Sequence, residues 1–241
     1  MTENEIIRQR FEKVNAEYLQ YSGQKIYGMP SKLRIETKLL AGQGRYEFDI
    51  KKTNIDNPFE VSLNRNDVFI PNYLGILLGL RSTTKPTTEL LMSFPQYNDG
   101  NNPSPYDAGF QSKDIEALYN GSLQWLVDNG ILIDSYPTEN FKKVPRTQGA
   151  FILDSNDAAV NELVQPNWDI RKACDFLIPK YTLAGTRDHR ITVNFGASGL
   201  TFPVTTGYDA YLVLYADGFL VKGGCEWFDK ANPNGGAVGQ W

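Results

Sequence analysis

The chain is poor in the residues that build most catalytic and metal centres. Its 241 residues include one histidine, His189, and two cysteines, Cys174 and Cys225. A single histidine removes the Ser-His-Asp and Cys-His nucleophile systems unless His189 itself serves. It lies in a charged turn, AGTRDHR, where a surface position is expected. The cysteines are far apart and lack metal-ligand spacing, so they read as free thiols made in a reducing compartment. There is no HExxH, paired CxxC, GxGxxG opening a helix, or GxxxxGK[ST]. Gly196-Ala197-Ser198-Gly199 does not have the form of a GxSxG elbow. Long apolar runs are missing too, and none reaches the ~18 residues of a membrane span. The opening TENEIIRQRFEK is charged where a secretion signal would be apolar, which predicts a protein made in, and soluble in, the cytoplasm.

Neither sign of charge dominates. With 24 Lys and Arg against 28 Asp and Glu the net charge is -4, which gives no ground for a nucleic-acid site. The short basic runs Lys142-Lys143 and Arg187 to Arg190 read as solvated loop charges. Asp99-Gly100-Asn101-Asn102 and Asp154-Ser155-Asn156-Asp157 offer the hard oxygens calcium prefers, but they are also ordinary Asx-rich turns. Two carboxylates suffice for glycoside hydrolysis, so the acids do not single out that chemistry. Asn120-Gly121-Ser122 matches a glycosylation sequon and reads better as a turn without a secretion signal. No cofactor or metal site is expected.

What is abundant points to strands and turns: 13 Tyr, 13 Phe, 21 Gly and 13 Pro. Residues 2–21 form the one clear helix. Thr2 and Glu5 make a capping box, and Ile7, Phe11, Val14, Tyr18 and Tyr21 fall on one stripe. That stripe either covers the chain's own β-domain or docks, as an arm, on a neighbouring subunit. Lys32–Leu40 and Arg45–Lys51 both alternate apolar and polar and predict a first hairpin through Ala41-Gly42-Gln43-Gly44. FIPNYLGILLGL is too apolar for an exposed strand and predicts a buried one interrupted at Pro71 and Gly75. LLMSF adds another strand. A long polar loop then spans 95–111, followed by a short helix over Asp114–Asn120. Asp128-Asn129-Gly130 predicts a hairpin between Ser122–Val127 and Ile131–Tyr136.

Later in the chain, FLIPKYTL predicts a strand broken at Pro179. Ile191 to Gly224 carries the densest strands, with a piece around Phe202 and Val204. A last hairpin, Ala210–Tyr215 and Phe219–Val221, is expected to turn at Asp217-Gly218. The Gly- and Asn-rich tail ending at Trp241 is either disordered or an extended arm ordered by a partner. The fold expected is mainly β, an antiparallel β-sandwich or jelly roll (one large or two small) with an N-terminal amphipathic helix. The divisions are a helical arm at 1–30, a first β-rich region at 31–148, a second at 149–224 that is either separate or continuous with the first, and a C-terminal arm at 225–241.

The blocks DVFIPNYLGILLGL, SFPQYND and DIEALYNGSLQWLVDNGILIDSYPTENFKKVP resemble structural proteins of bacteriophage virions. The closing PKYTLAGTRDHRITVNF and AYLVLYADGFLVKGG add to the likeness. The resemblance is to jelly-roll capsid or capsid-associated proteins of phages infecting Bacteroidetes-type hosts. It implies β-sandwich subunits that form or decorate an icosahedral shell, terminal arms reaching to neighbours, and neither catalysis nor a cofactor. Such a protein would be synthesised in the host cytoplasm and reside in the virion, with itself and other virion proteins as partners. Major, minor and auxiliary roles all stay open. The subunit contacts expected are Ile7, Phe11, Val14 and Tyr18 on the helix, Tyr97, Tyr106 and Phe110 in the loop, and Trp241 on the tail. Two other readings stand beside this one: a carbohydrate-binding sandwich that recognises a host-surface glycan through Trp168 or Trp227, and a glycan-active enzyme.

Overall fold

The structure, a computed structural model, describes residues 2–22, 28–51, 58–83, 87, 89–93, 117–128, 130–145, 152–153, 163–164, 168–195 and 208–231. Helix α1 (Glu3–Ser22) opens the chain. Its capping box forms as expected: the Thr2 amide donates to Glu5 Oε2 at 2.7 Å, and the Glu5 amide donates to Thr2 Oγ1 at 3.3 Å. Strands β1 (Met29–Lys38), β2 (Arg45–Phe48), β3 (Val68–Ser82), β4 (Glu89–Met92), β5 (Ser122–Val127) and β6 (Gly130–Pro137) follow. After them come the short β7 (Ile152–Leu153), β8 (Leu163–Val164), β9 (Asp175–Phe176) and β10 (Leu183–Ala184). Strands β11 (His189–Asn194) and β12 (Tyr208–Val221) and helix α2 (Cys225–Ala231) complete the order.

The strands form two antiparallel sheets packed face to face. One runs β1-β12-β3-β10, with β4 and β9 also on β3, and the other runs β2-β11-β5-β6. A third, two-stranded pair, β7 and β8, is not hydrogen-bonded into either sheet and lies against β4. The core between the sheets takes alternate residues from each side, as the pleat requires. Leu33 and Ile35, Leu74 to Leu80 at every second position, and Leu212 and Leu214 meet Tyr46, Phe48, Leu123, Trp125, Ile191 and Val193. Both sheets combine strands from 31–148 with strands from 149–224, so these two stretches share one core.

Several local expectations give way to this pairing. The predicted first hairpin is instead a corner: β1 pairs with β12 in one sheet and β2 with β11 in the other. Gly42, at φ 78°, sits in the turn between them, and Leu33 and Tyr46 line the core from the two sheets. β3 is uninterrupted over 15 residues. Pro71 is accommodated at a bulge, where a missing amide is tolerated. A side chain at Gly75 would lie 2.5 Å from Cys174 Sγ, which packs there.

Asp217-Gly218 is not a turn. β12 runs through it for 14 residues, and the register with β3 shifts there, pairing Asp217 with Tyr73 and Gly218 with Pro71 so that Asn72 is extra. The bulge reverses the alternation of β3: Phe69 before it and Leu74 after it both face the core. The expected hairpin at Asp128 does form between β5 and β6, with Asp128 at φ 52°. FLIPKYTL yields only β9 and β10, which flank a cis Ile178-Pro179 bond and pair with the far edge of β3. The strand expected at Phe202 and Val204, residues 114–116 of the helix expected over Asp114–Asn120, and the 95–111 loop lie outside the described residues.

Candidate functional site

Among the expected contact residues, Val14 and Tyr18 are buried in the chain's own body, at 1% and 4% exposure. They pack with Val68, Ile70, Ala184 and Val221 beneath them and with Cys225, Trp227 and Phe228 of α2. Phe11 sits 5.0 Å from the Phe219 ring, centroid to centroid, and Ile7 is half-buried. The helix is therefore a lid on its own sheet rather than a free arm, and residues 225–231 are a packed helix rather than the start of one. The physical reason is the bulge. Before it, β3 turns Val68 and Ile70 outward, where α1 and α2 shield them from water. Arg10 fixes the helix to that point, with Nη1 donating to Asn72 Oδ1 at 3.2 Å and Nη2 to the Leu177 carbonyl at 2.7 Å. Tyr97, Tyr106, Phe110 and Trp241 lie outside the described residues.

Trp168 and Trp227, through which the carbohydrate reading would recognise a glycan, do not face solvent, and neither does Trp125. Trp125, Trp168 and Trp227 are 1%, 8% and 4% exposed. Trp125 instead donates from Nε1 to His189 Nδ1 at 3.4 Å, and His189 Nε2 lies 2.9 Å from the Ala184 carbonyl. A ring that accepts at Nδ1 and donates at Nε2 is the neutral Nε2–H tautomer. His189 is only 5% exposed, a correction to the surface position expected, and its burial holds the imidazole below its ordinary pKa. Both cysteines are free and buried, and burial pushes each thiol up, Cys174 strongly. Neither has the exposed, electropositive surroundings that make a reactive thiolate.

The outer face of the larger sheet carries a buried ionic network. Arg34 donates from Nη2 to Glu89 and from Nε to Glu36 Oε1 at 2.8 Å. Arg81 bonds Glu36 and, at 2.8 Å, Glu89 Oε1. Its guanidinium lies 4.7 Å from the Phe59 ring and 4.3 Å from Tyr211. Burial alone would pull Arg81 down, but the two carboxylates outweigh it and hold the group above its ordinary value. These charges join β1, β3 and β4 laterally. They are already paired with one another, so the network holds strands together rather than a ligand.

The accessible chemistry sits beside the first turn of α1. A polar cleft of about 430 Å³ is lined by Glu3, Asn4, Tyr73, Asp169, Arg171 and Phe176, among others. Tyr73 and Phe176 meet edge to face at 5.3 Å. Tyr73 donates to Glu3 Oε2 at 2.9 Å, and burial, then the Glu3 carboxylate, push its hydroxyl up to about 12. Arg171 Nε donates to Asp169 Oδ1 at 3.3 Å. Lys143, on the same wall, is ion-paired to Asp175 and donates to the Cys174 carbonyl at 3.3 Å. Aromatic edges among amide, carboxylate and guanidinium groups suit a hydroxylated ligand. Sequence reading missed this group because Glu3 and Tyr73 are 70 residues apart and neither belongs to a motif.

Fold and clefts together define a two-sheet antiparallel β-sandwich with a polar groove beside its N-terminal helix. No protein-family model, curated protein or solved structure matches the chain.

Proposed function

We propose that this chain is a non-enzymatic structural component of a phage virion, a capsid or auxiliary capsid protein that assembles by subunit–subunit contacts. The reading rests on the resemblance of the middle and closing blocks to such proteins. The observation that supports it most is the asymmetry of the sandwich. The larger sheet is covered outside by α1, α2 and the 168–176 segment, which packs Trp168, Ala173 and Cys174 on Leu77, Val213 and Tyr215. Among the described residues no element covers the outer face of the smaller sheet. Ile131, 62% exposed, lies there beside its half-buried strand partner Leu126. An apolar pair on an open sheet face would suit contact with another subunit.

The partners on this reading are further copies of the chain and other virion proteins, with assembly through the sheet face rather than the helix stripe. Ile131→Lys places a charge in the contact and is expected to shift the oligomer distribution toward monomer without altering thermal stability. Mass photometry of both chains checks it. An unchanged distribution would remove this face from the assembly.

A second reading, a carbohydrate-binding sandwich serving host recognition, is favoured by the Tyr73–Phe176 cleft. Binding to a glycan array that is lost in Tyr73→Ala would support it. Binding retained in that variant would place any sugar elsewhere.

A further inference from the structure

A second cleft, of about 660 Å³, opens at one end of the sandwich between the 62–65 loop, the 185–186 turn and Lys51. Its base is held by backbone contacts. The Leu63 amide donates to the Ile50 carbonyl at 2.6 Å, the Gly185 amide to the Asp67 carbonyl at 2.9 Å, and the Asp67 amide to the Asn64 carbonyl at 3.1 Å. Leu63 is anchored in the core at 2% exposure. A Cβ at Gly185 would stand 2.1 Å from the Asn64 carbonyl oxygen, so glycine is what lets the two loops touch. The shape of the cleft is thus fixed before any ligand arrives.

Two cations face this space, Lys51 and Arg65, together with the hydroxyls of Ser62 and Thr186 and the Asn64 side chain. Among the described residues no carboxylate lines it. Among the described residues Lys51 has only a loose ion-pair partner, Asp188 at 3.7 Å, whose side chain is 73% exposed. Arg65 lends its carbonyl to the Cys225 thiol, but its guanidinium has no ion pair among the described residues. Elsewhere on the molecule the arginines Arg34 and Arg81 are paired with carboxylates. A planar guanidinium left free beside an ammonium and a hydroxyl, over a rigid floor, matches a tetrahedral oxyanion.

We infer that this cleft binds a phosphate-type oxyanion, either free or carried on a small hydroxylated molecule. Arg65 and Lys51 would supply the charge, and the Ser62 hydroxyl would donate to a remaining oxygen. The inference is independent of the shell reading. The test is calorimetric titration of the full chain with inorganic phosphate and, separately, with glucose 6-phosphate, at low and at physiological ionic strength. Saturable binding is expected, weakened at least about tenfold in Arg65→Gln and in Lys51→Gln. Thermal midpoints should not change, because both side chains stand outside the core, and Arg65→Lys should recover part of the affinity. Tighter binding of the sugar phosphate would assign the rest of the cleft to an organic portion, and equal binding would assign the anion alone. No saturable binding of either probe, or binding that both Gln variants retain, would overturn the inference.

Discussion

A methyl group added at Gly218 would lie 2.0 Å from the carbonyl oxygen of Ile70. That contact explains why Asp-Gly, a turn signal by local preference, is a bulge here. The flanking residues of β12 find a full ladder on β3, and glycine is needed where the two backbones crowd. Gly218→Ala is expected to cost about 1–3 kcal/mol, the scale of forced overpacking, seen as a lower urea midpoint. An unchanged midpoint would mean that the strands do not crowd at that position. Local chemistry was a sound guide at Asp128, where a positive φ joins two strands. It failed at Asp217 because the outcome there depends on a partner strand more than a hundred residues away.

His189 carries the pH dependence at this scale. Its folded pKa is held below the ordinary 6.5 by burial. As pH falls below about 6.5 the unfolded chain takes up a proton before the folded chain does, and stability declines until the folded value is passed. Above the unfolded value the contribution is fully present. Urea midpoints at pH 7.5 and pH 5.5 (roughly a unit either side of the unfolded histidine value) should therefore differ. His189→Asn should narrow that difference, whatever its own cost to stability. An equal pH difference in both chains would contradict a neutral, buried ring.

At the scale of elements, α1 decides between two pictures that its sequence left open. The stripe of Phe11, Val14 and Tyr18 was legible from spacing alone. What it covers was not, because the bulge at Asn72 turns Val68 and Ile70 toward the helix, and a bulge leaves no pattern in a run as apolar as FIPNYLGILLGL. Deleting residues 1–22 is thus expected to destabilise the fold itself, since it exposes that cluster and strips Asn72 and the Leu177 carbonyl of Arg10. Tyr18→Ala alone should cost about 3–5 kcal/mol, as for other large buried side chains. A truncated chain that unfolds at the same temperature as the full one would restore the free-arm picture. The corner between β1 and β2 has the same lesson. Alternation identified both strands and the inward faces of Leu33 and Tyr46, but it carries no information on whether neighbours in sequence share a sheet.

For the whole molecule, the sandwich class was readable from strand density and turn residues, and the two sheets were not. β12, near the end of the chain, is the centre of one sheet between β1 and β3, while β11 joins β2 to β5 in the other. Such long-range pairing is set by the complementarity of buried faces, with Leu212 and Leu214 on one side and Trp125 and Val193 on the other. The candidate clefts were invisible for the same reason, since Lys51, Arg65 and Thr186 meet only once the strands are placed.

Self-assembly through a sheet face is tested by mass photometry with negative-stain microscopy of the purified chain across concentration. Trimers, pentamers, rings or shells that grow with concentration and recede in Ile131→Lys are expected. A monodisperse monomer at every concentration would contradict self-assembly.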